Sequence, residues 1–172
     1  MTKDAQYWSQ WFWGTFFADW LAQVHDDQGG VFDALDVNGH TDRGAKKSLL
    51  AQARTLFTLS HAAMVTKDAG LIAAAQRQVA FLAHFEKAPG LYRCMVARDG
   101  RQTGAAEDEH ARSYDQTFVI LGLVTLNKLS PSNEVGALID ACWDALELHL
   151  TDPVTGLLCN DDSGANTGPA QN

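Results

Sequence analysis

The sequence predicts an all-α fold, a partial toroid of helical hairpins with short β-hairpins between the helices. Three observations predict it. The first is the stretch Gly29 to Phe57. A Gly-Gly break and short apolar runs around Asn38-Gly39 lead there into a helical stripe of Leu49, Leu50, Ala53, Leu56 and Phe57. Asn-Gly between short apolar runs is a strong hairpin signal, because both residues tolerate positive φ. Second, the stretch returns. Gly90-Leu91-Tyr92 repeats Gly30-Val31-Phe32, and Asp99-Gly100 repeats Asn38-Gly39. The helix HARSYDQTFVILGLVTL follows, so Phe118 answers Phe57 and Asp115 falls where Arg54 was. Third, Gly156-Leu157-Leu158 starts the stretch again. The offsets are 60 to 61 residues and then 66. Each interval holds two helical segments and a hairpin, longer than tetratricopeptide or ankyrin periods. Helical hairpins alternating between an inner and an outer ring suit that spacing.

In chain order, the first helix is expected over Lys3 to His25. Trp8, Phe12, Phe16 and Trp20 are four apart, with Trp11, Phe17 and Val24 beside them. So wide an apolar stripe predicts burial on more than one side, as core aromatics rather than a sugar-stacking platform. The second helix is expected from about Ala45 to Val65. The third follows Asp68, a good N-cap, and stops at Ala88-Pro89-Gly90. The fourth covers about Glu107 to Leu129. The fifth starts near Ser130-Pro131, where proline fits a first turn. Helices two and four are expected side by side as inner neighbours, and the tail SGANTGPAQN reads as loop.

Composition narrows the function. The 172 residues allow one ordinary domain, and an apolar fraction of 46% can build its core. A net charge of −8 argues against nucleic-acid or anionic-membrane partners, which need clustered Lys and Arg. The run WSQWFWGTFFADWL is too short and too polar to span a bilayer. The start, MTKDAQYW, lacks the features of a signal peptide. Cys94, Cys142 and Cys159 form no CxxC and read as free thiols in a reducing cytoplasm.

Few residues could carry chemistry. Arg54 sits in an apolar helical context, where a guanidinium needs a partner or a polar cavity. A structural ion pair with Asp115 and a substrate clamp are equally good readings. Tyr114 lies one turn after His110 and reads first as a core tyrosine with a satisfied hydroxyl. Glu107 and His110 have the i, i+3 spacing of di-iron bundles, but the further pair and two more glutamates are missing. His25, His61, His84 and His149 stand alone. No phosphate loop, GxSxG or paired ligand cluster is present.

The pieces GGVFDALDVNG, QARTLF, GLYRCMVARDG, SYDQTFVILGL, DPVTGLL and the final QN together resemble the N-acylglucosamine 2-epimerase family. That family includes mannose isomerases, sulfoquinovose isomerase and cellobiose 2-epimerases. The resemblance implies an (α/α)6 barrel of roughly twice this length, of which residues 1–172 would be the N-terminal half. It implies that Arg54, Tyr114 and Asn172 bind a small-molecule sugar, with Gln171-Asn172 opening a QNPHMHL-like motif. The catalytic histidines would lie beyond Asn172, and no cofactor or metal would be needed. Leu50 stands where the family often has Trp, and Gln116 where it often has His. Both departures bear on the choice of sugar.

The chemistry is consistent with that resemblance. Interconverting or epimerising a reducing sugar moves a proton at the carbon beside the carbonyl, which suits paired histidines and a fixed arginine. The expectation is an incomplete, inactive fragment that self-associates through open toroid edges. The alternatives are a glycoside hydrolase-like toroid, which needs two opposed carboxylates, and a non-catalytic helical-repeat module that binds a protein partner.

Overall fold

Five helices form in the computed structural model, which describes residues 3–163. Helix α1 covers residues 5–24, with a π turn at Phe12–Phe16 between α-helical segments Ala5–Trp11 and Phe17–Val24. Strand β1 (Lys47–Ser48) leads into α2 (Leu49–Thr66), and α3 is Ala69–Leu82. Strands β2 (Glu86–Ala88), β3 (Leu91–Tyr92) and β4 (Met95–Val96) precede α4 (Ser113–Leu129) and α5 (Asn133–Leu150). No helix among the described residues is long and apolar enough to cross a membrane.

Local chemistry sets the helix ends. Asp4, Ser48, Asp68 and Ser132 each cap an N-terminus by accepting a backbone N–H two or three residues on. Lys67, at φ 62°, closes α2 in the left-handed region. Helix α2 begins four residues later than expected, because Ser48 caps it and Lys47–Ser48 is extended. Helix α4 begins at Ser113, since a 3-10 turn at Ala106–Glu109 and an extended His110 come first. Helix α3 stops at Leu82, and Pro89-Gly90 turns a β-hairpin instead of ending the helix.

The repeat is real at the level of single hydrogen bonds. His25 bridges Val31, Glu86 bridges Tyr92, and Thr151 bridges Leu158. Next to each bridge one N–H closes the loop onto the preceding helix at 2.8 Å: Phe32 to Val24, Arg93 to Phe85, Cys159 to Leu150. Each repeat also reaches into the next. The Leu49 N–H donates to Cys94 O at 2.9 Å, and the Ser113 N–H to Asn160 O at 3.2 Å. The β1–β4 pairing (Lys47 with Val96, Ser48 with Met95) is part of that stitch. The expected hairpin before α2 is reduced to a single bridge, Leu35 to Thr41, around Asn38-Gly39. Strand β4 is taken by β1 of the preceding repeat, so the second hairpin is held from outside.

Helices α2 and α4 pack side by side, as the repeat requires. Gly122 permits the approach: a Cβ there would lie 3.0 Å from Leu56 and 3.1 Å from the Ala53 carbonyl. Helix α3 covers α2 and helix α5 covers α4, giving two layers about a core that includes Leu49, Leu56, Phe85, Val119 and Leu123. This is the two-ring arrangement of a partial α/α toroid.

Helix α1 departs from expectation. Only Phe17 of its aromatic stripe is buried, with Trp13, Trp20 and Leu21 half-buried against the core. Tyr7, Trp8, Trp11, Phe12 and Phe16 are exposed, Trp8 by 48%. They pack on one another instead, Trp11 stacking on Phe16 at 5.3 Å. The periodicity correctly marks a wide apolar face, but the described residues supply a partner for only one side of it.

Candidate functional site

Arg54 and Tyr114 meet across the α2–α4 contact. The Arg54 Nη2 donates to the Tyr114 hydroxyl at 2.9 Å. The guanidinium lies 4.6 Å from the Phe118 ring centroid and 5.8 Å from that of Tyr114, and the two rings meet edge to face. Both site residues are exposed, Tyr114 by 41%. Tyr114 is not the core side chain that the sequence suggested, because α2 and α4 turn this stripe away from α3 and α5.

Asp115 does not pair with Arg54. It is buried, and burial pushes its carboxyl above the usual range against the pull of Arg112 and Arg54. The reason is register. The loops repeat at 60 to 61 residues, but the helices, aligned by the Leu49 and Ser113 stitches, repeat at 64. Three extra residues before α4 absorb the difference. Arg54 therefore corresponds to Phe118, and Leu50 to Tyr114. Leu50 precedes Arg54 by one turn and shares its face, so that departure from the family pattern stays close to the site.

Gln116 does not. It corresponds to Gln52, and both side chains are fully buried as amide clamps. Gln52 grips Val31, accepting its N–H at 2.8 Å and donating to its carbonyl at 3.0 Å. Gln116 donates to Gly90 O, at the same turn one repeat on. The residue at 116 thus serves packing of the loop on its helix, away from Arg54. His110 is also displaced from its expected place. It lies outside α4, its Nδ1 3.9 Å from Asp162.

A cavity of about 370 Å³ opens beside Arg54. Trp20 and Gln23 of α1, Asp33 and Leu35 of the following loop, and Arg54 and Thr55 of α2 line it. Asp33 is held from two sides. Its Oδ2 accepts the Ser48 N–H at 2.6 Å, and its Oδ1 accepts from Gln52 Nε2 at 3.1 Å. Protein atoms crowd this carboxyl and raise its pKa, against the lowering effect of those bonds, while the residue keeps an exposed surface. Asp33 was not legible as a site residue, and Trp20 was read as a core aromatic rather than as part of a sugar-stacking platform. Gln52 left a faint signal, a polar side chain on the apolar stripe of a helix.

The loop that walls the cavity is anchored by charge. Lys47 and Asp26 form a fully buried ion pair at 2.8 Å. Arg98, from the second repeat, grips Asp26 through Nε at 2.8 Å and Nη2 at 2.7 Å. Burial alone would raise the Asp26 pKa, but Arg98, Lys47 and the Gln28 N–H hold it far below the usual range. Among the described residues no histidine is hydrogen-bonded to Arg54 or Tyr114. Gln171 and Asn172 lie outside the described residues.

The comparisons agree with this architecture. No curated protein sequence matches the chain. Solved structures do, at identities that speak for the fold. Cellobiose 2-epimerase from Spirochaeta thermophila DSM 6192 is 21% identical with a TM-score of 0.79, over 94% of this chain and 40% of that one. A sugar epimerase from a ruminal bacterium is 20% identical with a TM-score of 0.78, over 89% and 38%. A D-mannose isomerase is 23% identical with a TM-score of 0.72, over 84% and 36%. The chain thus spans about two fifths of the length of these structures. The N-acylglucosamine 2-epimerase family model matches residues 30–172, from the first Gly-Gly loop through both inner helices. The chain belongs to the N-acylglucosamine 2-epimerase family.

Proposed function

We propose that this chain forms one wall of the sugar pocket of an aldose–ketose isomerase or C2 epimerase acting on a mannose- or N-acylglucosamine-like sugar. It would be the N-terminal half of a barrel domain. The observation that carries the proposal is the Arg54–Tyr114 pair, a fixed guanidinium and a hydroxyl joined at 2.9 Å on the exposed face of two adjacent inner helices. Such a pair supplies donors to sugar oxygens. It also places positive charge where an enediolate oxygen would develop, and prepositioned donors act without reorganisation.

Proton transfer itself needs a base near neutral pKa. In this proposal the chain's own groups bind and orient the sugar, and histidines such as the family uses supply the base. Asn172 would join Arg54 and Tyr114 as a sugar ligand. On this reading residues 1–172 alone would self-associate through the exposed faces of α1 and α5, and would be inactive.

The test is turnover and sugar binding by a protein that contains this chain within a closed ring. Arg54→Ala should lower kcat/KM by at least about a hundredfold, the loss of a charged hydrogen bond and of an oxyanion donor together. The helical circular dichroism should stay unchanged. Activity equal to the parent would make Arg54 structural and overturn the reading.

A further inference from the structure

Asp33 is unexplained by the repeat. Sixty-one residues on stands Cys94, so the second repeat folds without a carboxylate at that place. In the first repeat the carboxylate is fixed by Ser48 N–H and Gln52, and it lines the cavity that Arg54 also lines. An ionised carboxylate has room for about four hydrogen bonds, and the Ser48 N–H, the Ser48 hydroxyl and Gln52 supply three. The remaining lone pair belongs to a group exposed at the wall of a space in the size range of small-molecule sites. Trp20 adds an aromatic side chain to the same wall. A recess with an acceptor that cannot donate, a donor that cannot accept and an aromatic side chain matches a polyhydroxyl compound. Each sugar hydroxyl can donate to the carboxylate or accept from the guanidinium.

We propose that Asp33 is a sugar-binding residue that accepts a hydrogen bond from one hydroxyl of the substrate, opposite Arg54. This assignment rests on the sugar-pocket reading above. Gln52 is its positioning residue. It holds Val31 by both backbone groups and Asp33 by Oδ1, and is itself held by the Gln78 Nε2 at 2.8 Å.

Ligand-detected NMR titration of mannose and its monodeoxy analogues tests the assignment on a parent protein that contains this chain within a closed ring and on its Asp33→Ser, Asp33→Asn and Arg54→Ala variants. A hydrogen bond to a charged acceptor is worth about tenfold or more in affinity. One deoxy analogue should therefore bind the parent about tenfold more weakly than mannose. The same analogue should bind Asp33→Ser and Asp33→Asn as well as mannose does. A structural role would weaken every sugar by one common factor and leave the deoxy discrimination intact, which overturns the assignment. Unchanged binding in both Asp33 variants overturns it as well, while loss in Arg54→Ala would leave the pocket reading standing. If the folded parent binds none of these sugars, the pocket reading fails and the assignment fails with it. Thermal melts of the two Asp33 variants identify whichever one stays folded for the comparison.

Discussion

The two repeats solve one problem with different chemistry. Each must fasten a glycine turn to its inner helix. In the first, Gln52 makes both backbone bonds to Val31, and Gln78 completes it by donating to its Oε1 at 2.8 Å and its carbonyl at 3.3 Å. In the second, Gln116 donates to Gly90 O, but Cys142 stands where Gln78 stood, sixty-four residues on. Its Oε1 is left buried with no partner. The cationic anchors differ too. Lys47 reaches Asp26 and the Gly29 carbonyl in the first repeat. In the second, Arg93 reaches Glu109 and the carbonyls of His84 and Glu86. The first loop, which walls the cavity, carries the fuller polar network. Strand pairing and close backbone contact hold the second.

The largest expected effect comes from breaking the buried charges of the first repeat. Asp26→Asn leaves Lys47, 1% exposed, without its counter-ion and should cost about 3–5 kcal/mol. The folded Asp26 pKa is depressed, so its contribution is complete above the ordinary carboxylate value near pH 4 and fades as pH falls below it. Urea midpoints should therefore differ widely between parent and variant at neutral pH and converge in acid. A gap that does not depend on pH would show that Asp26 matters through shape and not through charge.

The amide clamps give the sharpest contrast. Gln52→Leu strips partners from Val31 N–H, Val31 O and Asp33 Oδ1 and takes from Gln78 Nε2 the nearer of its two acceptors, for about 3 kcal/mol together. Gln116→Leu orphans Gly90 O but removes the buried unpaired Oε1, so the terms nearly cancel, within about 1 kcal/mol. Chemical denaturation of both variants checks this. Equal losses would mean that the repeats are energetically alike after all.

The hairpin tips should respond least, and unequally. Gly39→Ala puts a side chain at φ 80° in open space and costs about 1 kcal/mol of backbone strain. Gly100→Ala, at φ 84°, adds a clash 2.5 Å from the His84 ring and should cost about 1 kcal/mol more, as overpacking does. Melting temperatures of the pair measure the difference, which vanishes if the His84 ring simply swings away.

Sequence periodicity alone determined the five helices, the repeated glycine turns and the pairing of α2 with α4. These depend on apolar spacing and on glycine's access to positive φ, both local properties. Arg54 and Tyr114 were legible as polar groups on apolar helices that need explaining. The tertiary structure decided what surrounds them. A three-residue difference in loop length shifted the helix register, sent Asp115 into the interior and put Phe118 under the guanidinium. Tertiary packing also turned Gln116 into a clamp and brought Asp33, from a loop with no motif, to the same cavity as Arg54. It also left the face of α1 around Trp8 exposed. Periodicity reports which face of a helix is apolar, but the surface that covers that face comes from residues distant in the chain.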